Sequence, residues 1–188
     1  MNLGFIGTGN IVSDVITGVS KSKISYKQII ISPRNKKKAY YLKKKFKKIK
    51  IAKNNQEVIE KSDWVFLGVL PQIGENIIPK LNFKKNQTVI SFMSTTNYSK
   101  LKKLIKKKTI IIRAIPMPPI RFGKGPVAIF PPNKKVKYFF DKIGTTIEIK
   151  NEKLSKNFWA ISGTMASFYE LLNVLSNWLI KKKQINLM

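Results

Sequence analysis

The chain has 188 residues, 43% of them hydrophobic, which is enough for one sizeable core or for a main domain with a short appendage. Cysteine and histidine are both absent, which excludes disulfide scaffolds, thiol nucleophiles, Cys/His metal centres and imidazole acid–base chemistry. The formal charge is +28, but 34 of the 37 basic residues are lysine and only Arg34, Arg113 and Arg121 are arginine. Lysine covers almost every polar stretch and accompanies 27 Ile and 15 Asn, a bias that fits coding composition better than a built binding stripe. Base recognition favours the planar arginine fork, so no specific nucleic-acid partner is expected, only salt-sensitive adhesion. Tyr40 and Tyr41 among lysines offer a stacking surface, with the exposed side of an ordinary helix as the alternative.

Residues 3–6 form a short apolar run that stops at Gly7-Thr8-Gly9, after which Ile11, Val12, Val15, Ile16 and Val19 recur with helical spacing. A second apolar run, 28–32, leads past Pro33 to a lysine-covered helix whose apolar face is Ala39, Leu42, Phe46 and Ile49. A short strand at 49–52, a helix capped by Asn55 and the apolar run 64–70 follow. Further on come a helix near 74–80, a strand at 88–92, a helix at 98–106 and a strand at 109–114. Residues 116–119, Pro-Met-Pro-Pro, suit neither a helix interior nor a central strand and read as a fixed loop. Strands at 127–130 and 145–149 enclose a helix near 134–142, and a boundary falls near residue 150. From about 155 to 183 the pattern is one long helix, apolar on most of its circumference, which calls for a second subunit or a further portion of chain to cover it. Residues 158–180 carry a single charge, Glu170, and are long enough to cross a membrane, but Ser162, Thr164, Ser167, Asn173, Ser176 and Asn177 argue for a helix buried between subunits instead. The N-terminus lacks the basic start of a signal peptide, so a cytoplasmic location is expected.

Two places carry chemistry. Gly7 and Gly9 are the first two glycines of the dinucleotide fingerprint, with Val12 where the third glycine or an alanine is usual. Placed between a strand and a helix, they bring backbone amides to a pyrophosphate; a merely structural turn is the alternative. The second place is residues 32–36, Ser-Pro-Arg-Asn-Lys, where an NAD-specific site carries a carboxylate for the ribose hydroxyls. A hydroxyl followed by arginine suits the extra phosphate of NADP, unless Arg34 is simply solvated. No metal site is expected, because the nine carboxylates are scattered.

In order, residues 4–10, 32–35, Asn55, residues 65–72 (Val-Phe-Leu-Gly-Val-Leu-Pro-Gln), 89–91, 113–116 (Arg-Ala-Ile-Pro) and 161–166 (Ile-Ser-Gly-Thr-Met-Ala) resemble the pyrroline-5-carboxylate reductase family. The resemblance spans residues 3–180 and implies a Rossmann-like, doubly wound, mostly parallel sheet over residues 1–150. It further implies that residues 151–188 begin an all-helical dimerisation domain and carry its long C-terminal helix. It implies an enzyme that uses NADP(H) to reduce a cyclic imine, pyrroline-5-carboxylate, to proline, and a homodimer or higher homo-oligomer formed through residues 155–183. Carried over residue by residue, Gly7, Gly9, Asn10 and Ile11 hold the pyrophosphate. Ser32, Arg34 and Asn35 hold the adenosine phosphate, and Asn55 contacts the ribose. Val69, Leu70, Pro71 and Gln72 line the middle of the cofactor, and Ala114 and Pro116 lie beside the nicotinamide. Hydride transfer to an iminium requires no histidine.

The chain also departs from the family. Leu70 stands where the family carries Lys, Met117-Pro118-Pro119 where it has Asn-Thr-Pro, and residues 164–168 read Thr-Met-Ala-Ser-Phe in place of Ser-Gly-Pro-Ala-Tyr. The family's Gly- and Thr-rich substrate loop falls past residue 188, so the helical domain reads as truncated. No catalytic proton donor is assigned; Thr164, Ser167 and Tyr169 are hydroxyl candidates, with ordinary helix packing as the alternative. The other functional reading is a relative that binds NADP(H) without turnover.

Overall fold

The computed structural model describes residues 1–182 and separates into two compact units, Met1–Glu152 and Lys153–Met188. The first unit alternates strand and helix: β1 (Asn2–Ile6), α1 (Asn10–Lys21), β2 (Gln28–Ile31), α2 (Lys36–Lys45), β3 (Ile49–Ile51), α3 (Asn55–Glu60), β4 (Trp64–Leu67), α4 (Pro71–Ile77), β5 (Thr88–Ser91), α5 (Tyr98–Leu104), β6 (Ile110–Pro116), β7 (Pro126–Phe130), α6 (Lys134–Phe140) and β8 (Thr145–Glu148). The strands form one sheet in the order β3-β2-β1-β4-β5-β6-β7-β8. The first six are parallel, β7 runs antiparallel to β6, and β8 is parallel to β7. This is the doubly wound, mostly parallel sheet that the resemblance implies.

The period-2 side-chain alternation of the strands distributes the core over both faces. Leu3, Phe5, Ile29, Ile31, Phe66, Ile90 and Ile112 join α1, α2 and α6 in one cluster. Ile6, Ile30, Val65, Leu67, Val89 and Ile111 join α3 and α5 in the other. Phe5 and Phe66, on neighbouring strands, stack with ring centroids 4.4 Å apart. Because both faces are covered, the central strands are near-continuous apolar runs, and that continuity made them readable.

From α1 to α6, helix starts follow one rule with two exceptions. Asn35, Asn54, Asn97 and Asn133 cap α2, α3, α5 and α6, each side chain accepting a hydrogen bond from the amide three residues on. The cap of α3 is therefore Asn54 and not Asn55, which is already the first helical residue; two adjacent asparagines left the frame ambiguous. The exceptions are α1 and α4, which begin after Gly9 and Leu70 without a side-chain cap.

The proline segment differs from its reading as a loop. Pro116 closes β6, and residues 118–122 form a 3-10 turn that places Pro118 at its start, where a missing N–H costs nothing. The single helix read over residues 155–183 is two: α7 (Glu152–Gly163) and the longer α8 (Met165–Lys181). Thr164, between them, keeps right-handed geometry with ψ at −17°, and a glycine followed by a β-branched residue makes a weak helical junction. Lys183 lies outside the described residues. Along α8, Phe168, Tyr169, Leu171, Leu172, Val174, Leu175, Trp178 and Ile180 are exposed. Among the described residues no helix is long and apolar enough to cross a membrane.

Val12, at the third fingerprint position, is fully buried. Space for its side chain is made at Gly68, just after β4, where an added Cβ would lie 2.0 Å from Val12 Cγ2. Gly68→Ala is expected to destabilise the fold by about 1–3 kcal/mol through overpacking. Val12→Ala in the same chain should relieve that loss, so urea denaturation of the double variant should show less destabilisation than the sum of the two single variants.

Candidate functional site

The chain runs from β1 outward to β2 and β3 and then returns to β4 on the other side of β1. Connections therefore diverge between β1 and β4, which leaves a crevice at the C-terminal ends of those strands. A cleft of about 910 Å³ occupies this place, its floor formed by the Gly7-Thr8-Gly9 turn and its sides by residues 34–36, 68–71 and 92–94.

The turn is fixed from several directions. Gly7 has φ +99°, and a Cβ there would meet the Gly68 carbonyl oxygen at 2.4 Å. Its N–H donates to Ser32 Oγ at 2.8 Å, while the Gly68 N–H donates to the Ile6 carbonyl at 2.8 Å. Gly9 has nothing within 4 Å of an added Cβ, so the backbone there is open to a close-lying group. Thr8 is buried, yet its Oγ1 has no hydrogen-bond partner among the described residues. Among the described residues several buried polar atoms lack a partner, and Thr8 Oγ1 is the one that lines the cleft, where a bound group can satisfy it. The first amides of α1 likewise have no carbonyl one turn back and no side-chain cap, and the helix dipole makes that end attractive to an anion. These features fit a dinucleotide pyrophosphate.

At the end of β2, Arg34, Asn35 and Lys36 line the cleft, and no carboxylate is among its lining residues. The Asn35 side chain accepts from the Lys38 amide at 3.1 Å, fixing the start of α2, and Lys38 Nζ in turn donates to Asn10 Oδ1. On the next turn of α1 lies Asp14, whose carboxylate is 3.5 Å from Arg121 on the 3-10 turn. Burial raises the Asp14 pKa above its usual 3.8, against the smaller opposing pull of Arg121 and Lys38.

Of the residues singled out in the sequence, the structure brings Gly7, Gly9, Asn10, Ile11, Arg34, Asn35, Val69, Leu70 and Pro71 to one cleft. Ser32, Asn55, Gln72, Ala114 and Pro116 are not among its lining residues. Ser32 is buried beneath the glycine turn and holds it. Asn55 is in the first turn of α3, Gln72 is exposed on α4, and Ala114 and Pro116 are buried in β6. Sequence reasoning missed Thr8, Lys36, Gly68, Ile73, Phe92, Met93 and Ser94, which also line the cleft. Residues 92–94 follow the end of β5 as 69–71 follow the end of β4, so the rule that strand C-termini face the ligand was the available signal.

A glycine turn between the first strand and its helix, at the switch point of a parallel sheet, defines a dinucleotide-binding Rossmann domain. Comparison with known proteins agrees. The family model described as NADP oxidoreductase coenzyme F420-dependent matches residues 2–95, half of the 188. The chain is 26% identical to the pyrroline-5-carboxylate reductase of Haemophilus influenzae over 191 residues, which cover 95% of this chain and 69% of that protein. It is similar to the solved 1-pyrroline-5-carboxylate reductase of Streptococcus pyogenes with a TM-score of 0.78 and 24% identity, over 97% of this chain and 71% of the other. The same TM-score, 0.78, relates it at 21% identity to the NADP-bound pyrroline carboxylate reductase of Plasmodium falciparum, over 100% and 71% of the two chains. The chain belongs to the matched family and is a pyrroline-5-carboxylate reductase-like Rossmann oxidoreductase.

The raised Asp14 pKa gives a pH test. Its ionised form is disfavoured by folding, so the cost is absent at pH values below about 3.8 and is fully present above the raised folded-state pKa. Asp14→Asn should therefore melt above the unsubstituted chain at pH 7, with the gap closing as the pH falls through that window in calorimetric scans.

Proposed function

We propose that the chain binds NADP(H) in this cleft and reduces a small cyclic imine, pyrroline-5-carboxylate, to proline. The observation that carries the cofactor reading is the orphaned Thr8 hydroxyl beside an uncapped α1, in a cleft whose β2 side presents Arg34 and Lys36 and no carboxylate. Gly7, Gly9, Asn10 and Ile11 hold the pyrophosphate through backbone amides, and Ser32 keeps the turn in shape from below. Arg34, with Asn35 and Lys36, takes the 2′-phosphate. Val69, Leu70 and Pro71 line the middle, and residues 92–94 face the reducing end. When bound, the cofactor supplies a hydride to the imine carbon, while the nitrogen takes a proton. The choice of imine rests on the similarity to pyrroline-5-carboxylate reductases.

Residues 151–188 are proposed to open a helical domain shared between two copies of the chain. The exposed apolar side chains of α8 support this, because so large an apolar surface on a single helix needs a cover. A second reading, cofactor binding without turnover, is favoured by Leu70: an exposed apolar side chain lines the cleft where the similar family carries lysine.

The test is loss of NADPH absorbance on mixing the purified chain with pyrroline-5-carboxylate, with NADH in parallel. Turnover preferring NADPH supports the reductase, saturable NADPH binding without turnover supports the second reading, and no binding overturns both. Arg34→Ala should weaken NADPH by about tenfold, the worth of one charge-assisted hydrogen bond, and change NADH binding little, as read by isothermal titration.

A further inference from the structure

Arg113, on β6, is 5% exposed, and its two terminal nitrogens each donate to one group. Its Nη1 donates to Glu152 Oε1 at 2.6 Å and its Nη2 to the Ser94 carbonyl at 2.7 Å. The same Glu152 oxygen accepts the Tyr98 N–H, at the start of α5, at 2.7 Å. One guanidinium and one carboxylate thus hold the segment that joins β5 to α5 at Ser94 and at Tyr98. That segment supplies Met93 and Ser94 to the cleft, and the Met93 sulfur packs so closely on α4 that a Cβ at Gly74 would lie 2.3 Å from it.

An ion pair with a buried guanidinium is a poor way to stabilise a sheet, since an apolar pair of similar volume serves as well or better. What the fork offers is direction: two N–H vectors in a rigid plane, one sent to a carboxylate and one to a backbone carbonyl. We propose that Arg113 and Glu152 are positioning residues that hold residues 93–94 as the wall of the cleft facing the reducing half of the dinucleotide, and so set the affinity for that half. The proposal rests on the cofactor reading above. It predicts a split along the ligand, because the end of β5 lies three strands from the end of β2 in the order β2-β1-β4-β5, about 14 Å at the usual strand spacing. The adenosine phosphate at Arg34 is beyond the reach of the Ser94 wall.

The experiment measures dissociation constants of NADPH and of 2′,5′-ADP, which carries only the adenosine half, for the full chain and for Glu152→Gln and Arg113→Lys. Glu152→Gln keeps an oxygen for the Tyr98 N–H but removes the charge that fixes Arg113, and Glu152 is 28% exposed, so this variant decides the matter should Arg113→Lys fail to fold. The expected result is NADPH binding weakened about tenfold with 2′,5′-ADP changed less than about twofold. Unchanged NADPH affinity overturns the positioning role, and so does an equal loss of both probes, which marks general damage to the fold. If the unsubstituted chain binds 2′,5′-ADP and NADPH equally well, the wall contributes nothing and the proposal fails while the adenosine site stands. If it binds neither, the cofactor reading itself fails and the proposal with it.

Discussion

The site depends on how closely three backbone segments approach one another where β1, β4 and α1 meet. Gly7 leaves β1 at a positive φ against the Gly68 carbonyl, and Gly68 yields its side-chain space to Val12 on α1. The dinucleotide fingerprint places a small residue on the helix so that helix and strand can pack tightly. Here the small residue has moved to the strand end, and the bulk sits on the helix. The total volume at the crossing is what sterics constrain; which of the two elements contributes the methyl groups is secondary. With that crossing tight, the first turn of α1 points into the crevice, and the open ground around Gly9 becomes a place where a phosphate can lie against amides.

Helix capping marks the same crevice independently. Asparagine closes the starts of α2, α3, α5 and α6, satisfying one amide in each from within the chain. The helices that follow β1 and β4, the two strands flanking the switch point, have no such cap. An unsatisfied helix start is tolerable at a wet surface and useful where an anion is to be held. The chain has 15 asparagines, yet none caps either of these two starts, and the unpartnered Thr8 hydroxyl lies just before one of them.

Much of this was legible because covered parallel strands are short, continuous apolar runs. The runs 28–32 and 64–70, and the glycine turn after residue 6, gave the alternation and the strand ends, and the strand ends gave most of the cleft. What could not be read depended on relations between distant residues. Nothing in residues 10–19 indicates that Val12 is accommodated by Gly68, and nothing near Ser32 shows that its hydroxyl is spent on the Gly7 amide. The Asn54/Asn55 frame was ambiguous because either side chain can cap. The division at Thr164 was hidden because apolar spacing continues across it, and periodicity reports a face more readily than a break in the backbone.

The contrast between arginine and lysine carries the last step. The net charge of +28 is made almost entirely by lysine, an ammonium on a flexible stem that neither fixes nor requires a geometry. The three arginines behave differently. Arg34 lines the cleft, Arg113 holds the loop that lines its other side, and Arg121 faces Asp14 across α1 from the proline turn. A composition that favours lysine so heavily would have replaced arginine wherever a bare positive charge sufficed. The three that stand are at or near the C-terminal edge of the sheet, where a planar fork has a carboxylate, a carbonyl or a phosphate to direct itself toward. The basic character of the chain as a whole therefore says little about its partners, while its few guanidinium groups trace the outline of the site.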